Sequence, residues 1–227
     1  MLSDNPVTRT RITIPRRRQE LISRPRLLEL LNDLIDYRLI LVTAPAGYGK
    51  TSLLVDFAAQ TDLPVCWYSV NALDIEPQLF ISNLVSALIV KFPKFGQRTI
   101  SALKSAKGTL DLDYISNVIV NDLYDNVPEH FILVLDDYYL INDSAQIRNF
   151  ITRFIQDVDE NCHLVLTSRV LLSLPVITLL AARSQVSGLS FEDLAFQEAE
   201  IRQLFLQNQN QLLSDKETNE ILTTTEG

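Results

Sequence analysis

Residues 44–51 read Ala-Pro-Ala-Gly-Tyr-Gly-Lys-Thr and follow directly on the apolar run Leu39–Val42. The segment fits the pattern of a phosphate-binding loop, [A/G]-x-x-x-x-G-K-[ST], placed between a strand and a helix. Its first position is Ala44 rather than glycine. Alanine can replace glycine there if the residue has an ordinary, negative φ angle. Because backbone N–H groups from Ala46 to Ser52 would face a polyphosphate, we expect a nucleoside triphosphate site here.

The side chains of this loop have separate expected tasks. Lys50 would reach the β- and γ-phosphates, and Thr51 would place its hydroxyl on Mg²⁺. Gly47 and Gly49 would let the backbone turn sharply and approach the phosphate oxygens. Tyr48 is expected to be exposed on the loop, where it could cover the nucleotide.

Asp136 and Asp137 end a second apolar run, residues 131–135. In phosphoryl-transfer sites one carboxylate at such a strand end holds Mg²⁺, and a second acid can polarise the attacking water. An acidic turn after a strand is the alternative interpretation. Given the loop at 44–51, we expect Asp136 to bind the metal and Asp137 to act as the catalytic base.

Two arginines are further candidates for the site. Arg169 closes the apolar segment 163–167, where it could detect the γ-phosphate or stabilise the charge that develops on it. Arg24 precedes the first predicted helix and could lie near the nucleotide base. The alternatives are a solvated arginine at a strand end and a surface arginine in a basic arm.

The charge of the chain is uneven. Its 227 residues carry a net charge of −8, which argues against a general nucleic-acid-binding surface. Residues 1–26, in contrast, hold seven arginines and only two acidic residues. We interpret the run Arg16–Arg18 as part of a solvated arm, with contact to nucleic acid or an acidic partner as the alternative.

Composition also restricts the class of protein. Hydrophobic residues make up 47% of the chain and charged residues 21%, which predicts a packed core.

Cys66 and Cys162 lie in apolar contexts and are expected to be reduced core residues. His130 and His163 are each expected to stand alone at a strand start. Because no apolar run approaches the length of a membrane span, we expect a soluble, cytoplasmic protein without membrane contact.

The apolar periodicity predicts an extended arm, then alternating helices and strands. Ser23 is a possible N-cap of the first helix. Such alternation predicts an α/β fold, a three-layer P-loop NTPase (ASCE-type) with a five-stranded parallel sheet. The domains expected are a basic arm over 1–20, the NTPase domain over 21–196, and the truncated start of a helical segment over 197–227. The predicted strands cover 39–43, 65–70, 131–135, 163–167 and 186–191. The predicted helices cover 25–37, 50–60, 77–91, 111–126, 144–158, 175–183 and a tail from 197, with a short helix within 92–110.

Four segments, residues 21–31, 41–51, 133–138 and 164–169, carry a family resemblance in this order. With them, the chain from about residue 9 onward resembles the NTPase module of STAND-class regulators. The similar group is the MalT-like, large ATP-binding LuxR-type transcriptional regulators. The resemblance implies Walker A, Walker B and sensor roles for Lys50, Thr51, Asp136, Asp137 and Arg169, and a place near the adenine for Arg24.

The resemblance also implies a switch. In this family ADP holds a closed monomer, whereas ATP and an inducer open it for self-association. DNA is then bound by a C-terminal helix-turn-helix domain. The chain ends where the further domains of the family would begin, so neither DNA binding nor inducer sensing is assigned to these residues.

The sequence therefore favours an ATP-binding, slowly hydrolysing switch module with ATP or ADP and Mg²⁺ as cofactors, a weak ATPase at most. The alternative is a dedicated ATPase of the same core, either chaperone-like or a DNA-processing motor. A non-nucleotide interaction domain is a third hypothesis, against which the intact Lys50, Thr51 and Asp136 weigh. The guanine-reading motif Asn-Lys-x-Asp is absent from the sequence.

Overall fold

A computed structural model describes residues 7–105 and 110–225. Five strands form one parallel sheet with the order β2-β3-β4-β1-β5. This sheet confirms the predicted α/β class. The strands are β1 (Leu39–Thr43), β2 (Val65–Ser69), β3 (Phe131–Asp136), β4 (Cys162–Ser168) and β5 (Val186–Leu189).

The helices of the described residues agree with the predicted periodicity. They are α1 (Pro25–Leu34), α2 (Lys50–Gln60), α3 (Pro77–Lys91), α4 (Gln97–Ser105), α5 (Leu112–Asn126), α6 (Ala145–Asp157), α7 (Val176–Ala182), α8 (Phe191–Leu194), α9 (Glu198–Gln209) and α10 (Asp215–Thr225). The short helix predicted within 92–110 is α4; residues 106–109 lie outside the described part. Within that part no helix combines the length and the apolar character that a membrane crossing requires.

Several element boundaries differ from the sequence prediction by one to three residues; α1, for example, ends at Leu34 and not at residue 37. Two of the differences have a local cause in a serine side chain. Strand β5 ends at Leu189 because the Ser190 hydroxyl accepts the N–H groups of Glu192 and Asp193 and starts α8 instead. The N-cap predicted at Ser23 is wrong. Arg24 holds the cap position of α1, and the Ser23 hydroxyl donates to the Asp56 carboxylate at 2.7 Å.

Two apolar cores cover the faces of the sheet. The larger one joins the sheet to α3, α5 and α6, and the smaller one joins it to α1 and α2. Strands β3 and β4 are buried on both faces, which explains their continuous apolar runs. Trp67 of β2 lies in the smaller core. Both cysteines are buried and free, and burial raises the pKa of the Cys66 thiol to about 12.

The basic arm packs on the domain. Ile12 is buried in the larger core, while Ile14 contacts the smaller one. Arg11 pairs with the fully buried Asp74 and donates to the Ser69 carbonyl at 3.1 Å. Residues 7–14 of the arm therefore pack along the edge of β2, whereas the run Arg16–Arg18 is exposed, as the interpretation of a solvated run expected. Covering an edge strand also prevents its pairing with another chain.

The two histidines form a pair. His130 Nδ1 and His163 Nε2 lie 3.0 Å apart, and their rings stack with centroids 5.3 Å apart. The expectation that each stands alone is therefore wrong. Parallel pairing of β3 with β4 brings the two strand starts together, although 33 positions separate the residues in sequence.

Candidate nucleotide-binding site

The sheet brings the predicted site residues to one edge. Strand β1 lies beside β4, and the Ala44 N–H donates to the Ser168 carbonyl at 3.1 Å just beyond the last β1 pair. Strand β3 lies on the other side of β4. Because all strands are parallel, the segments that follow β1, β3 and β4 meet at their carboxyl ends. The order of the strands therefore places the loop at 44–51 close to both acidic residues.

The loop has the backbone of an anion site. Gly47 and Gly49 adopt φ angles of +93° and +76°, which side-chain-bearing residues rarely adopt. A Cβ added at either glycine would meet no heavy atom within 4 Å, so the space before the loop is open. Helix α2 begins at Lys50, and the N–H groups of a first helical turn have no partner within the helix. Those N–H groups and the helix dipole favour a negative charge at this point.

Lys50 is held inside the loop. Its side chain is buried, and Nζ donates to the carbonyl oxygens of Ala44 at 2.6 Å and Pro45 at 2.9 Å. Burial lowers the pKa of this ammonium group, and the nearby Asp137 carboxylate opposes that shift. A phosphate would offer Lys50 a charged acceptor in place of two neutral ones.

Asp136 joins the loop to the sheet. The Thr51 hydroxyl lies 3.0 Å from each oxygen of the Asp136 carboxylate, and the Thr167 hydroxyl donates to it at 2.7 Å. Burial raises the pKa of Asp136, whereas the hydrogen bond from Thr167 lowers it. A hydroxyl and a carboxylate side by side are the oxygen ligands that Mg²⁺ takes in nucleotide sites. The residues present therefore fit the metal.

Asp137 has a strained backbone beside this pair. Its φ angle is +58°, and its N–H donates to the Thr167 hydroxyl at 2.7 Å. Arg169 lies near it, with Nε 4.0 Å from Oδ1 of Asp137 and the guanidinium 5.0 Å from the Tyr139 ring centre. Non-glycine residues with a positive φ angle cluster at functional sites.

Arg24 is buried, so its interpretation as a surface arginine is wrong. It donates at 2.8 Å to the carbonyls of Leu194 and Ala195 and to the Glu200 carboxylate. Its guanidinium also lies 4.3 Å from the Phe196 ring centre. Nε of Arg24 is buried without a hydrogen-bond partner in the described part of the chain.

A cavity of about 210 Å³ connects Arg24 with the loop. Gly47, Gly49 and Ser52 line one side of it, and Arg24 and Phe196 line the other. Its position between the helix start and a buried arginine suits the nucleoside part of a ligand. Sequence reasoning named Arg24 as a candidate from its position ahead of α1 and from the family resemblance, although no local pattern links residue 24 to residue 47.

Tyr48 differs from its expected position. It is partly buried and packs edge-on against Phe191, with ring centres 6.4 Å apart. Phe191 begins α8, which follows β5, the neighbour of β1 in the sheet. The loop at 44–51 therefore packs against the segment after β5 through these two rings.

Comparison with known proteins finds similar sequences and folds. Over 201 residues, 86% of this chain, the sequence is 34% identical to the transcriptional regulator MalT of Yersinia enterocolitica. The chain is similar to the NTPase region of MalT-like regulators. It spans about a fifth (21%) of that relative's length. No family profile matches the chain.

Two solved structures share the fold of this MalT-like region. A STAND protein with a tetratricopeptide repeat sensor from Pyrococcus horikoshii matches 93% of the chain, with a TM-score of 0.55 and 16% identity. The match covers 29% of that protein. A Walker-type ATPase of Pyrococcus abyssi matches 98% of the chain, with a TM-score of 0.56 and 16% identity, over 66% of its own length. These similarities confirm the P-loop ATPase fold predicted from the sequence.

Proposed function

We propose that this MalT-like region binds ATP with Mg²⁺, hydrolyses it slowly, and serves as the nucleotide switch of a transcriptional regulator. The observation that carries the proposal is the Thr51–Asp136 pair beside a loop whose two glycines adopt positive φ angles. The pair supplies oxygen ligands for a metal, and the loop supplies N–H groups for phosphates. The similarity to MalT and to Walker-type ATPases supports the same conclusion.

In this proposal the nucleotide lies across α2. N–H groups from Ala46 to Ser52 bind the phosphate oxygens, and Lys50 turns from its two carbonyl partners to the β- and γ-phosphates. Thr51 and Asp136 hold the metal, which would neutralise charge on the terminal phosphates. Arg24 and Phe196 would border the nucleoside in the adjoining cavity.

Asp137 and Arg169 would carry the hydrolytic step. Asp137 is partly exposed, with a side-chain accessibility of 35%, so a water molecule can reach it. It would orient that water and accept its proton. Arg169 would stabilise the negative charge that develops at the γ-phosphate. The salt bridge between these two residues must then loosen when ATP binds.

A dedicated ATPase of the same core remains the alternative function. The two functions differ in turnover, because a motor cycles many times and a switch retains its nucleotide. Identification of the nucleotide released from purified, denatured protein decides between them. We expect ADP in near-stoichiometric amount together with slow steady-state hydrolysis, whereas rapid turnover would favour the motor.

A lysine substitution tests nucleotide binding itself. We expect Lys50→Ala to lower the affinity for ATP on the order of a hundredfold or more, because two charge-assisted hydrogen bonds to phosphate are lost. Isothermal calorimetry measures the effect, with Lys94→Ala as the control because Lys94 is exposed on the loop after α3. An affinity for ATP equal to that of the control would refute the proposal.

The similarity to MalT supports further proposals about the longer protein. We propose that the longer protein self-associates in its ATP state and works in the cytoplasm. It would contact DNA through a separate domain C-terminal to the residues described here.

A further inference from the structure

A second, larger cavity lies beside the start of α2. It has a volume of about 540 Å³ and lies between residues 15–21 of the arm and the first turns of α2. Thr51 and Ser52 line it, and they also belong to the loop proposed to bind phosphates. Leu21 and Ser52 line both this cavity and the one beside Arg24, so the two cavities adjoin. A nucleotide bound at the loop would therefore border on the arm.

A buried carboxylate fastens the arm at this position. Asp56 on α2 is almost fully buried, and it accepts hydrogen bonds from Arg17 Nε and the Ser23 hydroxyl, both at 2.7 Å. Arg17 also donates to the Leu21 carbonyl at 3.2 Å. The arm is thus attached at two points, one on each side of residues 18–22. No sequence pattern indicated this role of Asp56, which sits one turn of α2 beyond Ser52.

Only one of the three consecutive arginines of the arm has an acidic partner in the part of the chain that the structure describes. Asp56 neutralises Arg17, whereas Arg16 and Arg18 form no side-chain hydrogen bond or ion pair with any described residue. Both line the cavity, where Glu20 is the acidic residue. The cavity wall therefore keeps a surplus of positive charge next to the N-terminus of α2, which itself favours anions. A polyanion is the ligand that fits these charges.

We infer that the arm is a second phosphate-binding wall of the nucleotide site, in which Arg16 and Arg18 contact the phosphate tail of bound ATP. This inference rests on the proposed function and extends it to residues outside the Walker motifs. The α2 side of the tail meets N–H groups and Lys50, and the opposite side meets the two guanidinium groups. Arginine suits this task because its planar donors pair with two phosphate oxygens at once.

The test is a comparison of ligands that differ in phosphate number. We expect the double variant Arg16→Gln/Arg18→Gln to bind ATP about tenfold or more weakly than the unmodified chain, since each lost charge-assisted contact is worth about a factor of ten. ADP should lose less affinity, and the affinity for adenosine should not change. Arg183→Gln is the control, because Arg183 is exposed beyond α7, ahead of the start of β5.

Three results would overturn the inference. The first is an ATP affinity of the double variant equal to that of the Arg183→Gln control. The second is an equal loss for ATP and adenosine, which would mean that the arm only shapes the cavity. The third is unchanged ATP binding with lost binding of a short oligonucleotide, which would make the arm a nucleic-acid surface. If the unmodified chain binds no ATP, the proposed function fails as well, and this result is separable from the other three.

Discussion

Thr167 connects the two acidic residues of the site. Its hydroxyl accepts the N–H of Asp137 and donates to the carboxylate of Asp136. One hydroxyl at the end of β4 therefore fixes the orientation of the proposed metal ligand and the backbone of the proposed base. The sequence analysis named only Arg169 at this strand end, since the hydrogen bonds of Thr167 join residues 30 and 31 positions apart.

A substitution of Asp137 can distinguish the binding of ATP from its hydrolysis. We expect Asp137→Asn to leave ATP affinity within about twofold and to slow hydrolysis by about a hundredfold or more, because an amide cannot accept the proton of the attacking water. A single-turnover assay measures this rate. Asp143→Asn is the matched control, since Asp143 is exposed in the loop that leads to α6. An unchanged single-turnover rate would remove Asp137 from the role of base.

At the scale of elements, β3 and β4 carry the site at one end and the histidine pair at the other. His163 is buried at the start of β4, and its Nδ1 lies 3.3 Å from the Tyr37 carbonyl. Burial lowers the pKa of His163 below its ordinary value of 6.5, and the adjacent His130 lowers it further. The backbone hydrogen bond to Tyr37 and the charge of Asp36 act in the opposite direction.

His163 makes stability depend on pH. The folded chain keeps His163 neutral at pH values where the unfolded chain already binds a proton. The stability is therefore complete above about pH 6.5 and falls as the pH drops below that value. We expect the free energy of urea unfolding to decrease between pH 7 and pH 5, and His163→Gln to flatten this slope. An equally steep slope in the variant would assign the effect to other groups.

At the scale of the whole molecule, Glu200 of α9 connects the C-terminal helices to the residues around the start of α1. It accepts a hydrogen bond from Arg24 at 2.8 Å, contacts Arg26 at 3.5 Å, and accepts the Gln197 N–H at 2.9 Å. Burial alone would raise the pKa of Glu200, but the bonds from Arg24 and Gln197 lower it overall. The same Arg24 lines the cavity beside the loop, so the proposed nucleotide site and α9 share one residue.

Removing this charge should loosen α9. We expect Glu200→Gln to destabilise the contact between α1 and α9 by about 3 kcal/mol, because a buried arginine loses its counter-charge. Hydrogen exchange should speed up in α9 and α10 and change little in β3 and β4. Glu198→Gln serves as the control, since Glu198 is exposed in the same first turn. Equal exchange in the two variants would show that the ion pair does not hold the helix.

The sequence by itself determined the strands and helices of the fold and proposed the residues of the nucleotide site. Periodicity gave the five strands and the helices between them because local spacing decides which face of an element is apolar. The pattern at 44–51 predicted a phosphate loop because its glycines, Lys50 and Thr51 lie within one turn of chain. The acidic end of β3 could be assigned to the same site because parallel strands end at a common edge.

Only the tertiary structure decided the partners of residues that lie far apart in sequence. The arm packs on α2 because Asp56 accepts Arg17, the histidines pair because β3 lies beside β4, and Arg24 is buried because Glu200 reaches it. Each of these contacts joins residues more than 30 positions apart. A charged or polar side chain carries no local sign of its partner, since the partner is chosen by how the elements pack.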